Sequence, residues 1–70
     1  MKITNQRGIT ENIGDIELDG CQIFGNPAKI GKHPILLGEY NSFKRATEVA
    51  AEIFTLNANK LNGTFVMPLE

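Results

Sequence analysis

Cys21 and His33 are the only cysteine and the only histidine of the seventy-residue chain, and a thiol with an imidazole is a pairing from which a nucleophile and its base are built. Nothing else in the sequence completes such a site. No third orienting group or oxyanion donor set accompanies them. Cys21 falls on the apolar side of a hairpin, where a small buried thiol is the ordinary occupant, and His33 reads as a surface residue at a turn. One thiol and one imidazole also fall short of the four ligands of a structural zinc, and one thiol forms no internal disulfide. The stretch Gly25-Asn26-Pro27-Ala28-Lys29-Ile30-Gly31-Lys32-His33 fails as a P-loop on three counts. Five residues separate its glycines where four are needed, His33 replaces the magnesium-holding Ser or Thr, and Pro34 with a strand follows where a helix must open. Asp15, Glu17 and Asp19 are explained as a solvated strand face and turn. The expectation is a protein without catalysis, cofactor or metal.

Charge distribution gives the sharper functional signal. The formal net charge is −1, but residues 29–45 hold Lys29, Lys32, Lys44 and Arg45 against the single acid Glu39, between two acidic flanks. Lys44 and Arg45 fall in the first turn of a predicted helix, where the macrodipole favours acids over cations. Unpaired N–H groups at that helix start, with Lys44, Arg45, Lys29 and Lys32 nearby, would receive a phosphate or an acidic side chain. Phe24 and Tyr40 complete the candidate ligand-binding set. The competing account pairs Arg45 with Glu48 or Glu52 on the helix surface and leaves the lysines solvated.

The elements that must position these residues follow from pattern. Asp19-Gly20 is expected as a two-residue hairpin turn, with Leu18 facing Cys21, Glu17 facing Gln22 and Ile16 facing Ile23. One face of that hairpin is then apolar and the other polar, with Phe24 an aromatic on the polar face opposite Asp15. Lys2 to Asn5 and Ile9 to Ile13 read as short strands joined through Gln6-Arg7-Gly8. Gly25 to Pro34 reads as irregular or a bent hairpin, with Gly31-Lys32 its tightest turn. Ile35 to Tyr40 is an apolar run expected as a well-covered strand. Ser42 is the N-cap of a helix ending near Asn59 to Leu61. Its stripe of Phe43, Ala46, Val49, Ala50, Ile53, Phe54 and Leu56, an arc of about 160°, is expected to face the core. Asn62-Gly63 stops the helix, and Thr64 to Met67 forms a last strand closed by Pro68. The prediction is an α+β single domain over residues 1–70, with a short antiparallel β-meander against one amphipathic helix and a final C-terminal strand.

At 41% apolar and 21% charged residues the chain has the composition of an ordinary globular domain. A domain this short draws only about 3–5 kcal/mol from one core. With disulfide and metal excluded, self-association is the remaining support, and a homo-oligomer is expected. Met1 to Gln6 lacks the apolar run of a signal peptide and no stretch reaches membrane-span length, so a cytoplasmic location is expected. The pI near 5.7 argues against a duplex-binding basic face, and nucleic acid is not an expected partner.

Four short segments form a spaced set: Asn5-Gln6-Arg7-Gly8, Leu37-Gly38-Glu39-Tyr40-Asn41-Ser42, Arg45-Ala46 with Glu48-Val49, and Met67-Pro68. Across the whole chain this set resembles an uncharacterised family of short proteins from Gram-positive bacteria and their phages, with Ser-Gln-Asp-Gly, Leu-Gly-Glu-Tyr and Met-Pro motifs. Arg7 stands where that family has Asp, and Phe65 where it often has Tyr. The resemblance implies a mobile-element context in a bacterial host cell and supplies no catalytic residues. The resulting expectation is a small phage- or prophage-type accessory protein that works by binding, in an anti-defence role. It either sequesters an anionic, nucleotide-like signal or inhibits a host protein; the alternative is a small DNA-associated regulatory protein.

Overall fold

The computed structural model describes residues 1–28, 31, 33–58 and 63–70. The chain is an α+β domain: β1 (Lys2–Thr4), β2 (Thr10–Asp19), β3 (Gln22–Pro27), β4 (Ile35–Glu39), α1 (Phe43–Ala58) and β5 (Thr64–Val66). The strands form one sheet in the order β4-β3-β2-β1-β5. Neighbours are antiparallel except β1 and β5, which run parallel because α1 carries the chain back across the sheet before β5 begins.

The predicted strands at Ile9 to Ile13 and Asp15 to Leu18 are one continuous strand, β2, interrupted by a bulge between Ile13 and Asp15. The bulge adds one residue, so Ile13 and Ile16 lie on the same face despite their odd spacing, and both are buried. The first half of β2 pairs with β1 and the second half with β3. A strand bent between two partners at a bulge is how a small sheet acquires enough twist to wrap a core.

The hairpin register differs from the one read from the sequence. Asp19 pairs with Gln22, so the two-residue loop is Gly20-Cys21 rather than Asp19-Gly20. Gly20 has φ +61°, the positive value that the first loop position of a hairpin turn demands and that Asp19 would adopt only at a cost. Leu18 therefore faces Ile23 and not Cys21, and Glu17 rather than Asp15 faces Phe24. Moving the loop by one residue moves the pairing by two, so every side chain keeps its face. Ile16 and Ile23 still point inward and Phe24 still points outward.

Ser42 caps α1: its Oγ accepts from the Arg45 N–H at 3.1 Å and its carbonyl from the Ala46 N–H at 3.1 Å. Ala46, Val49, Ala50 and Ile53 bury against Ile3, Ile13, Ile16, Ile23, Leu37, Tyr40 and Met67. The core-facing stripe is narrower than its sequence suggests. Phe43 and Phe54 are 59% and 56% exposed, lying at the margin of the apolar arc, where α1 has already turned away from the sheet. The side chain of Leu56 and the predicted helix end at Asn59 to Leu61 lie outside the described residues, as does Asn62. β4 also departs from expectation. Leu36 is 40% exposed because β4 is a border strand covered on one face only. The segment after Phe24 is extended as far as Pro27, and Gly31 carries φ +90°, in keeping with a turn there.

Candidate functional site

Two groups of residues are brought together by this fold, one inside and one on the surface. The inner group begins at the β1–β2 turn. The buried Asn5 side chain accepts from the N–H groups of Arg7 and Ile9 at 2.9 and 3.1 Å, and Gly8 completes the turn at φ +86°. This fixes Gln6 against β4, the far border of the sheet. The Gln6 N–H donates to the Leu37 carbonyl at 3.1 Å, and its Oε1 accepts from the Glu39 N–H at 2.9 Å. Its Nε2 donates to the carbonyl of Pro68 at 2.9 Å, with those of Glu39 and Leu69 at 3.3 Å. The Tyr40 hydroxyl donates to the same Pro68 carbonyl at 2.8 Å. Gly38 lies beneath: a Cβ there would sit 2.9 Å from the Tyr40 hydroxyl and 3.0 Å from the Met67 methyl.

The spaced segments containing Gln6, Gly38-Glu39-Tyr40 and Met67-Pro68 thus meet at one place, and what they do there is join the two borders of the sheet. An exposed β4 edge would be a template for pairing with other chains, and the Gln6 amide occupies part of it. The Gln6 and Tyr40 side chains are committed to backbone groups, so the cluster is a closure, and the carboxylate of Glu39 belongs to the outer face instead. Burial pushes the Tyr40 phenol above its ordinary value, against the opposing pull of the Arg45 charge and the Gln6 amide.

Of the predicted ligand-binding residues, the four that are described, Phe24, Tyr40, Lys44 and Arg45, do not share one surface. Arg45 lies against the chain end, its Nε donating to the Glu70 carbonyl at 3.0 Å and its guanidinium 3.6 Å from the Glu48 carboxylate. Lys44 is exposed beside it on α1, while Tyr40 is buried and spends its hydroxyl on Pro68. Phe24 lies on the sheet face opposite α1, as its alternation with the buried Ile23 and Gly25 requires. Lys29 and Lys32 lie outside the described residues. Cys21 is half-buried in the hairpin turn and His33 is exposed. Among the described residues no three His, Cys, Asp or Glu converge as a metal-ligand set.

The surface group occupies the outer face of β2, β3 and β4. Phe24 and Leu36 are cross-strand neighbours there, and Glu17 stands opposite Phe24 on the other side. Asp15, Asp19 and Glu39 extend the same face, all exposed. Two amides organise it: Gln22 donates to the Glu39 carboxylate at 2.8 Å and Asn26 to that of Glu17 at 3.3 Å. The three strands contain five carboxylates, counting the inward-leaning Glu11, and no Lys or Arg. Asp15, Glu17 and Asp19 are solvated, as expected from the sequence. Leu36 and Glu39 join them on this face, which the apolar run of β4 does not signal, since such a run gives no sign of which of its side chains remain uncovered.

The molecule is thus a small α+β domain with a clamped sheet and an acidic outer face around an aromatic–aliphatic pair. No family model, curated protein or solved structure matches the chain. Among the described residues no helix is long and apolar enough to cross a membrane.

Proposed function

We propose that this is a non-catalytic accessory protein of phage or prophage type, homo-oligomeric, acting in the bacterial cytoplasm by binding and inhibiting a host protein in an anti-defence role. The observation that carries the binding mode is the outer face of β2–β4, where Phe24 and Leu36 stand among Asp15, Glu17, Asp19 and Glu39. An apolar centre with a charged rim is the anatomy of a protein-binding patch, and its single sign selects a cationic partner surface. The sequence resemblance to short proteins of Gram-positive bacteria and their phages supports the biological setting. The acidic face also disfavours the DNA-associated alternative, since phosphates would be repelled.

A second reading, sequestration of an anionic nucleotide-like signal, rests on Lys44 and Arg45 in the first turn of α1, which contains no acidic residue. The two are separated by one comparison. Tagged protein in host lysate retains one partner at fixed stoichiometry, released by salt, and Leu36→Ser with Glu17→Lys weakens retention at least tenfold, as loss of a central contact does. Saturable calorimetric binding of a cyclic or ADP-ribose-type nucleotide, abolished by Arg45→Ala, with the face variant unaffected, replaces this reading with the second.

A further inference from the structure

The exposed flank of α1 carries Phe43, Thr47, Ala51 and Phe54, none of them charged and all exposed. Phe43 and Phe54 are eleven positions apart, which places them about 16 Å apart along the axis and within about 20° of each other around it. Thr47 and Ala51 lie between them. The Thr47 hydroxyl donates to the Phe43 carbonyl at 2.8 Å, so its proton is satisfied within the helix and needs no partner from outside. The flank therefore has a large apolar group at each end and small side chains in the middle.

From this arrangement we infer that the flank is the contact between two copies of this chain, paired antiparallel about a two-fold axis near the middle of α1. The inference deepens the oligomeric part of the proposed function and rests on it; it does not depend on what the sheet face binds. A two-fold contact must be self-complementary, each residue meeting a partner that it meets again across the axis. An antiparallel pair satisfies this here. Phe43 packs beside Phe54 of the partner subunit at both ends, and Thr47 meets Ala51 of the partner subunit at the centre, where small groups let the helices approach to about 8–10 Å.

Charge makes the same selection. Among the described residues, α1 has no acidic residue in its first turn and no basic residue in its last. Lys44 borders the apolar flank, and side chains on a helix lean toward its N-terminus. In the antiparallel pair each Lys44 thus extends over the last turn of the partner helix and places a cation at the negative end of its dipole. A parallel pair would instead bring the two Lys44 side chains together. The area sets the strength. With over half of each ring exposed, the two phenylalanines offer about 240 Å² per chain. A stable interface uses about 800 Å² per partner, so the dimer dissociates on dilution.

Light scattering or sedimentation of the whole protein across a concentration series tests this. The wild type moves from the 7.7 kDa chain mass toward twice that value, while Phe43→Ser with Phe54→Ser, and separately Ala51→Arg, hold it at 7.7 kDa with unchanged circular dichroism. Lys44→Glu weakens association severalfold at low salt, although it places an acid where the helix's own dipole favours one. A dimer that survives all three variants overturns this interface and leaves the oligomeric reading standing. A wild type that remains monomeric at millimolar concentration overturns both.

Discussion

Tyr40 shows how one side chain ties chemistry to architecture. Its ring is buried in the core and its hydroxyl reaches the Pro68 carbonyl. Loss of water around the phenol disfavours the phenolate, which is why its pKa is raised. The consequence for stability has a definite sign. Above pH 10 the unfolded chain releases the Tyr40 proton while the folded chain retains it, so the unfolded state binds fewer protons and stability falls as pH rises through that window. Below pH 10 both states are protonated and the term vanishes. Tyr40→Phe removes the titration and the hydrogen bond together. Near neutral pH the variant is expected to be less stable by about 1 kcal/mol, the usual net worth of one hydrogen bond. Between pH 10 and 11 the gap to the wild type narrows. Urea denaturation at pH 7, 10 and 11 measures both effects, and a gap that widens with pH contradicts the burial argument.

At the scale of elements, the sheet depends on close approach at β3. A Cβ at Gly25 would lie 2.9 Å from both the Ile13 and Leu37 terminal methyl groups, inside a packed core. Gly25→Ala is therefore expected to cost about 1–3 kcal/mol by overpacking, read as a lower urea midpoint. Gly20→Ala, with nothing near its Cβ, costs about 1–2 kcal/mol from its positive φ alone. Much of this layer was legible in the sequence. Element order and the inward set of β2 and β3 follow from alternation, which a two-residue shift in pairing leaves intact. The helix start follows from Ser42 and its neighbours. What was not legible came from the third dimension. Phe43 and Phe54 stand at one margin of the apolar arc of α1, and the helix sequence does not say whether anything covers that margin. Gln6 stands in one of the spaced segments, but neither alternation nor helical period marks its role, because its partners are backbone groups more than thirty residues away. Of the basic middle segment, Arg45 turns to Glu48 and Glu70, an engagement that charge counting along the chain does not reveal; Lys29 and Lys32 lie outside the described residues, and Phe24 lies across the sheet.

For the whole molecule, the question is what keeps a five-stranded sheet closed over so small a core. Backbone pairing alone leaves β4 and β5 as its two borders. Gln6 spans them, bonded to Leu37 and Glu39 on one side and to Pro68 on the other, and Tyr40 and Arg45 add bonds to Pro68 and Glu70. Stopping the chain after Met67 removes the acceptors on one side without touching the strands or the acidic face. Four hydrogen bonds are lost, and the three shorter ones, at about 1 kcal/mol each, predict a drop in Tm of about 10–20 °C, with the long Gln6–Leu69 bond adding little. Gln6→Ala lowers Tm for the same reason from the other side. Because both changes cut the same connection, the double variant is expected to lose distinctly less than the sum of the two single losses. Calorimetric unfolding of the four proteins completes that cycle. Strict additivity would mean that Gln6 and the chain end act independently, and that the sheet closes by packing of Tyr40, Met67 and Leu37 alone.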